Sequence, residues 1–176
     1  IEVAGYGAFA RRASEAGIDG VITVDMPPEE AKDYISALEG EGLDPVFLIA
    51  PTSTDERIGK IGAVASGFVY YVSLKGVTGA ANLDVDSVRQ KVEAIRKKID
   101  LPIGVGFGIS DAQTAAQVSA CSDAVVVGSA IVKHMAAHQK HDPDQTKLII
   151  KDVSELLGSM REAMDANPVE EITRTA

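Results

Sequence analysis

Short apolar runs alternate along this chain with longer amphipathic stretches. The apolar runs predict five strands, at residues 20–24, 45–49, 68–72, 102–105 and 124–127. The stretches between them repeat their apolar residues at helical spacing and so predict helices. Strands that are apolar at nearly every position and separated by helices are typical of a parallel sheet covered on both faces. The pattern therefore predicts an α/β fold in which a strand followed by a helix is the repeating unit.

Capping and breaking residues set the boundaries of the predicted helices. The first is expected to stop at Gly17, and the second opens with Pro28 and two glutamates, as helix N-termini prefer. Thr54 is a candidate N-cap for the third. The predicted helices are 6–16, 28–38, 54–66, 86–99, 111–120, one that opens at about residue 129, and 145–164.

Two glycine turns follow the last two predicted strands. Gly106 and Gly108 lie in the first turn, and Gly128 with Ser129 forms the second. Glycine can adopt positive φ and lets an anion approach the backbone, while Ser129 adds a hydroxyl where a helix begins. Either turn alone also fits an ordinary strand-to-helix connection. Two in tandem match the phosphate site of an α/β barrel, so the expected ligand is a small phosphorylated molecule.

Five strands fit two architectures. In an open, doubly wound sheet the ligand turn normally follows the first strand. In a closed barrel of eight strands the phosphate site follows the last two, which is where the glycine turns occur here. The chain also starts at Ile1 rather than at methionine. We therefore expect part of a (β/α)8 barrel, with about three further βα units on the N-terminal side.

The composition of the chain argues against some classes of binding partner and some cellular compartments. The chain has 176 residues, 45% of them hydrophobic, and a net charge of −9. This charge argues against nucleic acid or an anionic membrane surface, but backbone amides can still hold a phosphate. A single cysteine, Cys121, excludes an internal disulfide and suits a reducing compartment. No apolar run approaches the length of a membrane span. The expected location is the cytoplasm.

Two further features leave alternatives open. The connection 73–85 is long for a compact α/β domain, which predicts a functional lid or, alternatively, an ordinary surface loop. His134 and His138 are spaced for one helix face, and His141 follows. No glutamate or cysteine completes a metal-ligand set beside them, so we expect a solvated helix end and no metal.

Four motifs carry a specific resemblance. The runs VDMPPEEA, YYVSLKGVTGAAN, PIGVGFGIS and VVVGSAIVK occur in this order. Together they resemble the tryptophan synthase α subunit family, over residues 1 to about 166. The resemblance implies a (β/α)8 barrel to which this chain supplies helix 3 and βα units 4 to 8, in residues 1–166. The polar tail 167–176 is predicted to be disordered.

The resemblance also implies an activity and a partner. Members of the family are lyases of tryptophan biosynthesis that cleave indole-3-glycerol phosphate to indole and glyceraldehyde 3-phosphate. They pass indole to a β subunit in an α2β2 heterotetramer. Pyridoxal phosphate belongs to that β subunit, so no cofactor is expected in this one. The VDMPP turn would place Asp25 and Pro27 at the contact with the β subunit.

Site residues carry over motif by motif. The phosphate-binding positions fall on Gly79, Gly108, Gly128 and Ser129. Phe107 and Tyr70 would line the substrate pocket, and the loop threonine that closes on the acid site corresponds to Thr78. Leu74 stands where some members have an arginine, which puts arginine-mediated loop closure in doubt.

The family's two catalytic carboxylates, a glutamate and an aspartate, are expected upstream of Ile1, so no catalytic residue is expected in this chain. Asp25 is the best remaining carboxylate, because it follows a strand at the active face of a barrel. Two other functions stay open. The chain could belong to another phosphate-binding isomerase or synthase barrel, or it could be a non-catalytic fragment that only binds phosphate or a partner.

Overall fold

The computed structural model describes residues 1, 3–73, 84–106, 108–137 and 143–167. Strands and helices alternate as predicted. The strands are β1 (Gly20–Thr23), β2 (Asp44–Ile49), β3 (Val69–Val72), β4 (Ile103–Gly106) and β5 (Ala124–Val126). The helices are α1 (Tyr6–Glu15), α2 (Lys32–Glu39), α3 (Asp55–Gly62), α4 (Val85–Arg96), α5 (Ala112–Ser119), α6 (Ser129–Ala137) and α7 (Pro143–Ala166).

All five strands belong to a parallel sheet, in the order β1-β2-β3-β4-β5. Gly20 pairs with Asp44 at the start of β1 and β2, and Phe47 pairs with Val69 between β2 and β3. Each strand is followed by a helix before the next begins, which is the connection that parallel neighbours need. The sheet type predicted from the apolar runs is confirmed.

The chain divides into two compact units. The first contains residues 1–72 and 93–103, and the second contains residues 73–92 and 104–176. In the first unit α1 packs on α2, where Ala10, Tyr34, Leu38 and Leu43 form a buried cluster. The Tyr6 ring meets the Tyr34 ring edge to face, with centroids 5.5 Å apart. This arrangement suits aromatic rings, because the edge of one carries the opposite partial charge to the face of the other.

The second unit is built around α7. Both α5 and α6 pack against this helix. Ala115 and Val118 of α5 and Met160 of α7 are buried, whereas Leu148 and Leu157 of α7 are exposed. The long amphipathic helix predicted at the C-terminal end is confirmed. Residues 168–176 lie outside the described residues, so the boundary between barrel and tail at residue 166 stays a prediction.

Burial on both faces was expected for every strand, and this is wrong at β1. The side chain of Ile22 in β1 is 46% exposed, and that of Val24, the residue directly after β1, is 68% exposed. Among the described residues β1 pairs only with β2, because it lies at one end of the strand order. All four residues of β4, by contrast, are buried. Strand position therefore decides how completely an apolar run is covered.

Two predicted helices also differ in extent. The stretch 28–38 contains a 3-10 turn, Pro28–Glu30, and then α2. The break follows from local hydrogen bonding, since the N–H of Ala31 donates to the carbonyl of Pro28 and closes a three-residue turn. The third helix ends at Gly62 rather than near residue 66. Gly67, with φ of 67°, then turns the chain towards β3.

Candidate functional site

The two glycine turns leave paired strands at the same edge of the sheet. Strands β4 and β5 are parallel neighbours, with Gly106 opposite Val126. Gly108 lies two residues beyond Gly106, and Gly128 lies two residues beyond Val126. Because the carboxyl ends of parallel strands point the same way, both turns emerge together, within the second unit. This is the arrangement required for two turns to contact one ligand.

Gly108 uses the conformational freedom that glycine gives the turn after β4. Its φ is 78°, which residues with a Cβ rarely adopt. Gly106 and Gly128 are not among the described glycines with positive φ. Gly106 is still part of extended β4, and the carbonyl of Gly128 accepts the first helical hydrogen bond of α6, from Val132.

The feature of Gly128 relevant to ligand binding is the open space around it. A Cβ built at this position would meet no other atom within 4 Å. The residue is exposed, as is Ser129 beside it. A ligand can therefore reach the backbone here, and a side chain added at residue 128 would occupy the space that the ligand needs.

The helices after the two turns begin in different ways. The carboxylate of Asp111 caps α5, accepting a hydrogen bond of 2.8 Å from the backbone N–H of Thr114. That backbone hydrogen bond is the main reason why the pKa of Asp111 is lowered. The first turn of α6, which starts at Ser129, contains no acidic residue. Helix starts carry positive partial charge, and the Asp111 carboxylate already meets that of α5, so the start of α6 is the better candidate for an external anion.

Ser73, the residue after β3, is hydrogen-bonded to Gly106 at the end of β4. Its backbone N–H donates to the carbonyl oxygen of Gly106 at 3.0 Å, and its hydroxyl donates to the same oxygen at 2.8 Å. Both residues belong to the second unit. Sequence reasoning missed this contact, and the only signal was a serine directly after an apolar strand.

Tyr70 lies in the first unit, on β3. The side chains of this strand alternate, with Val69 and Tyr71 buried and Tyr70 half-buried. Successive residues of a strand face opposite sides of the sheet, which accounts for the different burial of Tyr70 and Tyr71. Burial raises the pKa of the Tyr70 phenol, so it stays neutral at physiological pH. It can therefore contribute an uncharged, amphipathic surface to a pocket.

Asp25 and Pro27 lie in the turn after β1, also in the first unit. Asp25 is exposed, and Pro28, next to Pro27, is buried. Glu29 then ties the turn to α3, through ion pairs of 3.7 Å with Arg57 and 3.4 Å with Lys60. Backbone hydrogen bonding at Glu29 lowers the pKa of its carboxyl most, and the contacts with Lys60 and Arg57 lower it further. The sequence did not single out Glu29, since its cationic partners are about thirty residues away.

Three predicted site residues, Phe107, Thr78 and Gly79, lie outside the described residues, as do His138 and His141. Within the part of the chain that is described, no three histidine, cysteine, aspartate or glutamate side chains are grouped to hold a metal ion. Nor do the described helices include one that is both long and apolar enough to cross a membrane.

Known proteins resemble this chain over nearly all of its length. The family model for the tryptophan synthase alpha chain matches residues 1–164. The tryptophan synthase alpha chain of Thioalkalivibrio sulfidiphilus is 58% identical over 165 residues, which are 94% of this chain and 60% of the relative. That of Nitrosococcus oceani is 53% identical over 166 residues, with the same coverage. The chain thus spans about 60% of the length of these curated relatives.

Solved structures give the same result for the fold. Tryptophan synthase subunit alpha from Legionella pneumophila is 36% identical, with a TM-score of 0.79 over 94% of this chain and 59% of that one. A structure described as the tryptophan synthase a2b2 complex of Pyrococcus furiosus is 34% identical, with a TM-score of 0.75 over 90% of this chain and 63% of that one. The expected fold class, part of a (β/α)8 barrel, is confirmed. Sequence and structure agree that the chain belongs to the tryptophan synthase alpha chain family.

Proposed function

We propose that this chain forms the phosphate- and indole-binding part of a tryptophan synthase α subunit, which cleaves indole-3-glycerol phosphate to indole and glyceraldehyde 3-phosphate. The observation that carries the proposal is the pairing of β4 and β5, which brings the two glycine turns to one edge of the sheet. A phosphate there would meet the Gly108 turn on one side and the start of α6 on the other. Membership of the family supplies the substrate.

Each site residue has a role in this proposal. The backbone at Gly108 and Gly128 and the Ser129 hydroxyl bind the phosphate, together with Gly79. Phe107 and Tyr70 contact the indole ring, and Thr78 closes over the substrate. Neutral donors suffice for a phosphate dianion, since several backbone N–H groups directed at one point create a strong local positive potential.

The chemical step needs an acid and a base. We assign both to the part of the family's sequence that this chain does not span. A proton is added at C3 of indole and another is removed from a glycerol hydroxyl, and the carbon–carbon bond between ring and side chain breaks. Both transfers require an acid and a base within hydrogen-bond reach of those atoms. The chain spans about 60% of its relatives, and the glutamate and aspartate of the family are assigned to the remainder. The role of this chain is to bind and orient the substrate.

A β subunit is the proposed partner, and pyridoxal phosphate the cofactor of that subunit alone. The likeness to the a2b2 complex of Pyrococcus furiosus supports this. Asp25 and Pro27 are assigned to the contact, because the turn that carries them is exposed at Asp25 and is held to α3 by Glu29. A cytoplasmic location stays a prediction.

The experiment that tests the phosphate site is a glycine substitution in a full-length subunit containing this sequence. Gly128→Val should raise the Kd for glycerol 3-phosphate far more than Ser129→Ala, since valine fills the ligand's space and alanine removes one hydroxyl, worth about 1 to 3 kcal/mol. Gly158→Val is the matched control. A Cβ at Gly158 also meets nothing within 4 Å, in the same unit but on α7. Equal and small effects of all three changes would place the phosphate elsewhere.

Phosphate or partner binding without turnover remains the second candidate, favoured by the 60% span of the relatives. Mixing this chain with the N-terminal part of a relative and assaying indole release separates the two. Indole release by the mixture supports the enzyme, and binding of glycerol 3-phosphate without release supports a binding fragment.

A further inference from the structure

The contact between Ser73 and Gly106 differs from ordinary strand pairing. A backbone N–H donating to a neighbouring carbonyl is a normal ladder bond, and Ser73 makes one, at 3.0 Å. The Ser73 hydroxyl adds a second donor to that oxygen, at 2.8 Å. A carbonyl oxygen has two lone pairs, so Ser73 alone can occupy both.

Burial increases what the hydrogen bond from the Ser73 hydroxyl contributes to holding Gly106 in place. Gly106 is buried, and Ser73 is half-buried. A polar atom removed from water depends on its protein partners, and losing one costs more than the bond would contribute in solvent. The hydroxyl of Ser73 therefore holds the Gly106 carbonyl more firmly than β-sheet pairing alone would.

Gly106 is the last residue of β4, and the turn assigned to phosphate binding follows at once. The peptide unit is planar, so fixing the carbonyl of Gly106 fixes the plane through which the chain leaves the strand. Gly108 then adopts φ of 78°. A small rotation at Gly106 would change where Gly108 directs its backbone N–H, although Ser73 need not touch the ligand.

We propose that Ser73 is a positioning residue for the phosphate turn, acting through its hydroxyl on the carbonyl oxygen of Gly106. The proposal rests on the proposed function, because it takes the Gly108 turn as the site of a phosphate ester. It adds a residue from the start of the connection 73–85 to a site otherwise built from the two turns after β4 and β5.

The test compares three variants in a full-length subunit containing this sequence. Ser73→Ala removes the hydroxyl, and Ser73→Thr keeps it on a side chain that suits a strand end. Ser53→Ala is the matched control, since Ser53 also follows a strand and its Oγ accepts a hydrogen bond from the backbone N–H of Ala50 at 3.0 Å, but it lies in the first unit. Calorimetric titration with glycerol 3-phosphate gives the Kd of each variant.

Ser73→Ala should raise the Kd for glycerol 3-phosphate about fivefold, as expected for one lost hydrogen bond at a half-buried position. Ser73→Thr should stay within about twofold of the parent protein, and so should Ser53→Ala. In steady-state assays of indole release, Ser73→Ala should raise KM with little change in kcat, because the phosphate group binds but does not react. General destabilisation would instead lower kcat by reducing the active fraction.

Two results would overturn the positioning role. One is unchanged phosphate binding in a folded Ser73→Ala protein, and the other is equal weakening in Ser73→Ala and Ser73→Thr, which would show that the hydroxyl is irrelevant. Gly128→Val distinguishes this failure from failure of the site itself. If Gly128→Val abolishes binding while Ser73→Ala leaves it intact, the site stands and only the role of Ser73 falls.

Discussion

The hydroxyl of Ser66 donates a hydrogen bond of 2.6 Å to the carboxylate of Asp44, joining the segment before β3 to the first residue of β2. The backbone N–H of Ser66 also donates to the carbonyl of Pro45. Gly67 lies so close that a Cβ on it would be 2.7 Å from Oδ2 of Asp44, and a Cβ on Gly20 would be 2.9 Å from the Asp44 carbonyl oxygen. Asp44 therefore restricts its neighbours on both sides.

Gly67→Ala is expected to destabilise the protein by about 1 to 3 kcal/mol, since it combines strain at φ of 67° with a clash against Asp44. Gly42→Ala is the matched control, because Gly42 has φ of 73° but open space around it. It should show only the strain, about 1 kcal/mol. Urea unfolding of both variants measures the difference. Equal losses would mean that the Asp44 side chain moves aside without cost.

Asp111→Ala should cost about 1 kcal/mol of unfolding free energy, the usual value for a lost N-cap, and Asp111→Asn should cost less. The pKa of Asp111 is lowered by its hydrogen bond from the Thr114 backbone. The charged cap therefore contributes fully above the ordinary aspartate pKa of about 3.9 and is lost as the pH falls through the lower folded value.

Urea midpoints measured from pH 2 to pH 7 test the Asp111 cap. The advantage of the parent protein over Asp111→Asn should disappear only in the acid range. A constant difference across the whole range would contradict a contribution from the ionised carboxylate.

If the chain belongs to a subunit that pairs with a β subunit, as proposed, Asp25→Ala should reduce stimulation by the β subunit more than it reduces the basal rate of indole release, as expected for a residue that couples two sites. Asp19→Ala provides the comparison, because Asp19 is also exposed but precedes β1 instead of following it. Indole release with and without the β subunit measures both quantities. Loss of the basal rate in Asp25→Ala would instead identify Asp25 as an acid or base of the reaction.

The 176-residue chain on its own is expected to associate through β1. Ile22 and Val24 are substantially exposed there, beside an apolar groove of about 680 Å³ lined by residues that include Phe9, Ile18 and Val21. An uncovered strand edge with apolar side chains is a template for pairing with another chain. We expect aggregation or a molten state, with dye binding and poorly dispersed NMR signals. A monomer with a cooperative thermal transition would contradict this.

Local patterns predicted most of the fold. The apolar runs located the five described strands, and Thr54 caps α3 as predicted. Asp111, predicted as the first residue of its helix, is the N-cap of α5. Short-range chemistry governs these features, so short stretches of sequence contain the information. The exposure of β1 was not predictable in this way, because it depends on which strands lie beside it.

The candidate site was predicted at the level of its turns but not of their geometry. The sequence identified Gly128 as part of the second turn. Its φ could not be predicted, because it depends on how α6 begins. The contacts of Ser73 with Gly106 and of Glu29 with Lys60 join residues about thirty positions apart. Contacts between residues so far apart in the sequence can be identified only when the packing of the strands and helices is known.

If a phosphate ester binds at the start of α6 as proposed, the acidity of the chain affects how quickly it arrives there. At long range a dianion approaches a chain of net charge −9 and is repelled. The neutral donors proposed at Gly128 and Ser129 would attract it only at short range. Added salt screens the repulsion beyond about 10 Å at 0.1 M but affects the contact itself far less. Association should therefore accelerate with ionic strength, whereas ligands that are steered by a basic cleft bind more slowly as salt is added.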